Sequence, residues 1–518
     1  MNTEKKKFNL LVCGLLIGII IASMDSTIVS TAMGSIISDF GKMSLMAWIS
    51  SAYLITSVAV TPIYGRLSDM YGRKRFFLFG IALFCIGSLL CGNAASMEQL
   101  ILFRAIQGIG GGAIMPIAFS IIFDIVPPEN RGKFSGLFGA AFGISSIFGP
   151  LVGSLLSDHA SWRYAFLLNV PLGILAVLFV IIGYRESQNH SRMKIDWLGS
   201  FFLIAGVTSL MFSLDLGGNQ FPWNSWQIIS LLLSFGVCFI LFLFTEFHAE
   251  VPIIPLHLFR GKLFACSQLI GLLFGSVFII SIIYIPIFIQ GVNGNTATHS
   301  GLVLMPMMLA SVLGSQIGGS LIRRFSYRLL MLLSAFTFLI GLYSLSTLTM
   351  HSSNLMMILY MIITGIGVGI SFSVLMMSST DQISPKDTGA ATSSVTFFRS
   401  LGMTFGITIF GAIQSHLMNA SFSKELPGML EYGQKLEART LLQPQVRALI
   451  PASTLTQMTK LLAGSITHTF LYTMIPLTLS LVFIIIMGNH KLQIREGAMH
   501  VDESSSTRNF NGREQSSI

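Results

Sequence analysis

Fourteen apolar runs separated by polar gaps organise the chain. Their approximate limits are 10–31, 45–64, 77–94, 100–123, 135–156, 163–184, 198–214, 228–245, 263–290, 300–322, 328–348, 354–379, 391–417 and 466–488. A helix needs about 20 mostly apolar residues to cross a bilayer, so each run predicts a membrane-spanning helix. None alternates with period 2 as a lipid-facing barrel strand would. The expected fold is therefore all-α and integral to a membrane. The first run is too long for a signal-peptide core and lacks a small-residue cleavage site, so it reads as the first helix.

Basic residues orient this array. Counted from the N-terminus, the even-numbered gaps carry Arg66, Arg73, Lys74 and Arg75; Arg131 and Lys133; Arg185, Arg192 and Lys194; Arg260 and Lys262; Arg323, Arg324 and Arg328; and Lys386. The short gaps of the other side hold only Lys42 and Arg163. The bias places both termini in the cytoplasm, with the chain multi-pass in the cell (inner or plasma) membrane. Residues 418–465 form a long polar segment on the outer side, with room for a short amphipathic helix around 430–448. The tail, 491–518, is rich in Ser and charge and reads as disordered.

Composition agrees: 53% of residues are apolar and only 10% charged, against about a quarter charged in soluble domains. The net charge of +9 is scattered in short clusters, with no basic stripe, which argues against a nucleic-acid partner. Cys13, Cys85, Cys91, Cys238 and Cys266 sit in apolar stretches without metal-ligand spacing and read as packing residues. There is no Walker loop, no His-Glu-x-x-His and no nucleophile–His pairing, so neither an enzyme nor ATP-driven transport is expected. His416 and His468 are isolated near outer helix ends and read as interfacial polar residues.

Several motifs rise above this background. The gap after the second run reads G-R-L-S-D-M-Y-G-R-K-R over 65–75, with Gly65, Asp69, Gly72 and Arg73 at its key positions. Turn glycines and cytoplasmic basic residues would explain the triplet alone. The whole pattern closely resembles the loop signature of the major facilitator superfamily, with Met70 in place of the usual basic residue. That resemblance implies that Asp69 and Arg73 latch the cytoplasmic helix ends together in the outward-facing state. The fourth run opens with Leu100, Arg104, Gln107 and Gly108, similar to the family's L-x-x-x-R-x-x-Q-G pattern, whose Arg is implicated in proton transfer. Snorkelling to the nearby outer end would also explain Arg104. The fifth run carries Gly139, Gly143, Gly149, Pro150 and Gly153, resembling the motif of the family's proton-coupled antiporters, with Ser145 and Ser154 replacing two glycines. Packing of small residues would use the same positions.

Further echoes point to the fourteen-helix drug:proton branch. They are Met24-Asp25-Ser-Thr27 in the first run, Trp162-Arg163 through Phe166, Asn169, Pro171 and Gly173, Asp196 to Gly199, Gly389 to Ser393, and Arg399 to Gly402. Gly319 to Arg328 is a worn copy of the first loop signature, with Arg323 at its Asp position and Ser326 at its second Gly. The resemblance, over about residues 8–490, implies two six-helix bundles, 1–185 and 260–490, with an inserted helix pair at 195–248.

Among acids, Asp25 is the clearest one inside the membrane. Desolvation lets such a carboxylate exchange protons near neutral pH, as coupling requires; a capping or packing role is the alternative. Asp124, Asp215, Glu246 and Asp381 lie near predicted helix ends and read as solvated interfacial charges. No acid lies well inside the ninth to fourteenth runs, so neutral, zwitterionic or monocationic amphipathic substrates are expected. Thr27, Gln107, Asn169, Phe142, Phe274, Phe278 and Phe398 are candidates for the substrate cavity. The expected function is proton-coupled export of small amphipathic compounds, by a functional monomer with no cofactor beyond the proton gradient. The alternative is a dedicated exporter of an endogenous metabolite or lipid.

Overall fold

The computed structural model describes residues 2–40, 45–186, 196–218, 220–295, 297–425 and 452–492. These are helical almost throughout. In chain order the helices are α1 (Asn2–Phe40), α2 (Met46–Tyr71), α3 (Arg73–Gly92), α4 (Met97–Ile125), α5 (Pro128–His159), α6 (Arg163–Leu167), α7 (Asn169–Gly183), α8 (Trp197–Leu216), α9 (Trp226–His248), α10 (Lys262–Ile287), α11 (Ala297–Leu321), α12 (Tyr327–Ser346), α13 (Asn354–Thr380), α14 (Thr388–Glu425) and α15 (Ala452–Ile486). Among the described residues, twelve helical stretches are long and apolar enough to cross a membrane. The helices α2 and α5, of 26 and 32 residues, have the length to cross a membrane but are not among these twelve.

Helices outrun the apolar segments that announce them. At 1.5 Å per residue, the 39 residues of α1 span about 58 Å, well beyond a hydrocarbon core of about 30 Å. Hydropathy marks the slab, whereas backbone hydrogen bonding continues into polar flanks. The polar segment 418–465 is shortened the same way, because α14 runs to Glu425 and α15 begins at Ala452. Residues 426–451, with the amphipathic helix expected around 430–448, lie outside the described residues, as does the tail from 493. One expected helix, 163–184, keeps its course across the membrane but its hydrogen-bond ladder is interrupted at Leu168, whose φ and ψ stay helical. Pro171 has no N–H to give the Leu167 carbonyl, and α6 ends at Leu167.

In the first bundle α3 and α2 pack on α4, and α5 and α7 pack on α1. In the second, α11 and α12 pack on α13, α14 on α10, and α15 against α10 and α12. The bundles meet along α5–α11 and α2–α14. The helices α8 and α9 pair with each other, and α8 leans on α2 and α14. Most of α9 is exposed, as a surface facing lipid would be. Its Glu246 is a correction to the solvated reading: it is only 4% exposed and accepts the Ile253 and Ile254 backbone N–H groups at 2.9 and 3.0 Å.

Candidate functional site

Asp25 sits on α1 inside the first bundle, 1% exposed, and every group contacting its carboxylate is a donor. Arg104 of α4 pairs with Oδ2. Gln107 Nε2, one turn further along α4, donates to Oδ1 at 2.8 Å, and Asn169 Nδ2 of α7 donates to the same oxygen at 3.0 Å. Both amides also reach Ser88 Oγ of α3, at 2.6 and 3.1 Å. Arg104 is held further by the Ile49 carbonyl at 3.1 Å, by Gln107 Oε1 at 2.7 Å and by the Tyr53 ring 4.4 Å below its Cζ. Four helices thus close a fully buried polar cluster around one acid. Burying such charges is tolerable only with this degree of pairing. The spacing from Arg104 to Gln107 is i,i+3, which puts both on one helix face.

Gly149 of α5 brings a neighbouring helix against this cluster. A Cβ there would meet the Thr27 side chain and lie 3.2 Å from the Met24 carbonyl, so only glycine lets α5 approach α1 beside Asp25. Gly153, one turn on, is buried, and Pro150 lies between them.

A second cluster joins the two bundles at one end. Asp69, near the end of α2, accepts the Gly389 and Ala390 backbone N–H groups, both at 2.9 Å. Those amides are free donors in the first turn of α14, and the helix dipole favours an anion there. Arg73 orients the carboxylate at 2.9 Å, pairs with Asp124, and donates to the Ser120 and Pro385 carbonyls at 2.8 and 3.0 Å. Arg66 pairs with Asp387 at 2.6 Å. Gly65 lies so close to α14 that a Cβ would stand 2.5 Å from the Gly389 carbonyl, and Gly72 has φ of +111°, which a side chain would strain. Asp124 and Asp387 are thus ion-pair partners of Arg73 and Arg66, where the sequence alone reads Asp124 as a solvated charge.

The worn copy repeats this geometry on the other side. Gly319 of α11 meets Gly132 of α5 backbone to backbone, as Gly65 meets Gly389. Four residues after Gly319 stands Arg323, which donates to the Glu129 carbonyl at 2.6 Å and to Asn130 Oδ1 at 2.7 Å. These contacts are exposed, so this side of the closure is weaker.

At the opposite end a cavity of about 560 Å³ opens between α2, α8 and α14. Ser51, Asp215, Trp223, Thr408 and His416 line it, and Arg104 forms part of its wall. Asp215 accepts the Ser51 hydroxyl at 2.9 Å. The cavity therefore lies one side chain away from Asp25. Next to the apolar run of α1, Asp39 accepts Trp162 Nε1 at 2.7 Å and Arg163 Nη1 at 3.0 Å, and the Trp162 hydrogen bond and the Arg163 guanidinium hold its carboxyl below the usual range.

The proposed cavity residues separate into three groups. Gln107 and Asn169 belong to the Asp25 cluster, and Thr27 packs on Gly149. Phe142 of α5 and Phe278 of α10 come together across the bundle interface, each against Phe372, at 5.9 and 5.8 Å. Phe274 instead packs on Phe338 inside the second bundle, and Phe398 packs on Phe259 near the α8–α9 side. Sequence reasoning missed Ser88, Tyr53 and Phe372. Nothing in their local sequence marks them; only the packing of distant helices does.

Comparisons agree with the geometry. The Major Facilitator Superfamily profile matches residues 15–407. The chain is 46% identical over 488 residues to "Multidrug resistance protein 3" of Bacillus subtilis (strain 168), covering 93% of this chain and 95% of that one. It is 34% identical to "Multidrug transporter protein MdtP" of the same organism, covering 91% of each. Among solved structures, the proton:xylose symporter XylE superposes with a TM-score of 0.60 at 13% identity, covering 91% of this chain and 95% of that one. At that identity the likeness shows the fold alone.

Proposed function

The chain belongs to the Major Facilitator Superfamily, and we propose that it is a proton-coupled antiporter exporting small amphipathic compounds, drugs, antibiotics and dyes among them. It is a transporter and not an enzyme. The observation that carries the coupling is the buried Asp25–Arg104 pair, set beside both the outer cavity and the glycine that seats α5 on α1.

In this reading fourteen helices cross the membrane, α2 and α5 included, with α8 and α9 as a pair inserted between two six-helix bundles. Both termini face the cytoplasm, so the Asp69 latch closes the cytoplasmic side and the cavity faces outward. A proton arriving through that cavity neutralises Asp25. Arg104 then loses its counterion, and Gln107 and Asn169 lose a charged acceptor. The cluster must rearrange, because an unpaired buried cation is costly. Repacking of α1 against α4 and α5 is transmitted to the latch, and the bundles rock to open inward. Inward release of the proton restores the pair and returns the substrate outward. One charge moving through 100 mV supplies about 2.3 kcal/mol, roughly a fiftyfold gradient.

The test is substrate-induced proton movement in everted vesicles carrying an imposed pH gradient. Adding a transported lipophilic dye should dissipate the gradient with the native protein and leave it intact with Asp25→Asn. Dissipation that survives in Asp25→Asn would move the coupling site elsewhere.

A further inference from the structure

Arg399 stands on α14 where the two bundles face each other, and it is unlike the other membrane-embedded arginine. Arg104 has a carboxylate; among the described residues Arg399 has none. The described ion pairs all involve other residues. Its Nε is shielded from solvent without a hydrogen-bond partner. Its Nη2 makes only a weak contact with Met115 Sδ of α4, at 3.7 Å, across the interface. Its Cζ lies 4.3 Å from the centre of the Phe372 ring of α13. Below it the backbone is pinned: a Cβ on Gly275 of α10 would meet the Arg399 carbonyl, so α10 and α14 are in close contact at this level.

A guanidinium stays charged under any physiological condition and offers five donors. With its Nε out of reach of water and orphaned and the residue half-buried, it is costly to keep, and a cation–π contact offsets only part of that. Such a group is retained where something else completes it. The same place collects Phe142 and Phe278 around Phe372, so aromatic surface from both bundles lies beside an incomplete cation.

We propose that Arg399 and the Phe142–Phe278–Phe372 cluster form a recognition site for amphipathic compounds carrying an anionic group, above all a carboxylate on an aromatic scaffold. The carboxylate takes the free edge of the guanidinium in a charge-assisted hydrogen bond, and the scaffold stacks among the rings. Zwitterions are accepted because their cationic end can lie away from Arg399, whereas purely cationic compounds gain nothing from it. The site narrows the substrate class of the transport reading above and rests on it for its use in export.

The test is binding, which separates the site from coupling. Rhodamine 110 carries a free carboxylate, and rhodamine 123 is its methyl ester, so the pair isolates one anionic group. Fluorescence anisotropy with the purified full chain in phosphatidylcholine nanodiscs should give about tenfold or tighter binding of rhodamine 110 over rhodamine 123, the range of a hydrogen bond to a charged group. Arg399→Gln should reduce the ratio to about one while leaving rhodamine 123 affinity unchanged, which also shows that the variant is folded. Arg399→Lys should retain part of the preference. A native ratio near or below one, failure of rhodamine 110 to bind, or a ratio that persists in Arg399→Gln would each overturn the assignment. Loss of the preference on adding phosphatidylglycerol would also overturn it, by showing that a lipid headgroup occupies the site. Asp25→Asn should keep the ratio. If dye-driven proton movement fails in native vesicles while the ratio stands, the antiport reading falls and this site does not.

Discussion

Asp69 accepts the backbone N–H of Gly389 at 2.9 Å although 320 residues separate them, so a carboxylate of one bundle caps a helix of the other. The contact exists only while the two bundles touch at this end. In the proposed alternating-access cycle it is a state-dependent bond, whose strength sets how readily that end opens.

Asp69→Asn replaces charge-assisted hydrogen bonds with weaker neutral ones and leaves Arg73 with Asp124 alone. Hydrogen bonds to charged groups are worth about 1.5–3 kcal/mol, so the closed state should lose about tenfold or more in population. In a cysteine-free background, a cysteine at Ser393, buried beside Gly65, reports this as its maleimide labelling rate. Arg323→Ala removes only exposed contacts and should change that rate by less than about threefold. Equal effects of the two substitutions would contradict the asymmetry.

Gly389→Ala should open the same end by sterics. The added Cβ would stand 2.5 Å from the Gly65 carbonyl and 2.6 Å from Asp69 Oδ1. Overpacking of this kind costs about 1–3 kcal/mol, all of it in the closed state. Gly464→Ala, where nothing lies within 4 Å, should leave labelling unchanged. If Gly389→Ala labels like the native protein, the close approach is not what holds this end shut.

Arg104→Gln strands a buried carboxylate, and Asp25→Asn strands a buried guanidinium. Each should lower stability by about 3–5 kcal/mol, read as a drop in the thermal midpoint of the purified protein. The double variant should recover much of that loss, because the costs share one pair. Additive losses would show that the two residues act separately.

The Asp39 carboxyl titrates below its ordinary value near 3.9 because Trp162 and Arg163 bind the charged form. A depressed folded pKa stabilises above the unfolded value and is lost as pH falls through the folded one. The native thermal midpoint should therefore fall faster than that of Asp39→Asn as pH drops below about 4, and the two should run parallel above it. Parallel curves throughout would remove Asp39 as a tie between α1 and α6.

Much of this was legible in the sequence because hydropathy is a property of single segments. Apolar runs located the helices, whereas the interruption between α6 and α7 is not part of the reading of 163–184 as one helix. Asp25, Arg104, Asp69 and Arg73 stood out because charge is rare in such a chain. Their partners did not stand out. Ser88 looks like any helix serine, and Gln107 and Asn169 looked like cavity residues until the fold turned them toward Asp25. Glu246 reads as interfacial because its helix ends nearby, yet the following chain folds back to supply its donors. The orphaned Nε of Arg399 is not legible in the sequence for the same reason: it is defined by what the other helices fail to bring.

The most direct test of coupling through Asp25 is to separate exchange from accumulation in proteoliposomes. One assay follows equilibrium exchange of a transported dye with no pH gradient; the other follows its accumulation against a gradient when a pH difference is imposed. The native protein should do both. Asp25→Asn should still exchange dye but fail to accumulate it, since the carrier moves without a proton to drive it. Accumulation by Asp25→Asn at the native level would contradict the account, and the proton would have to be carried by another group.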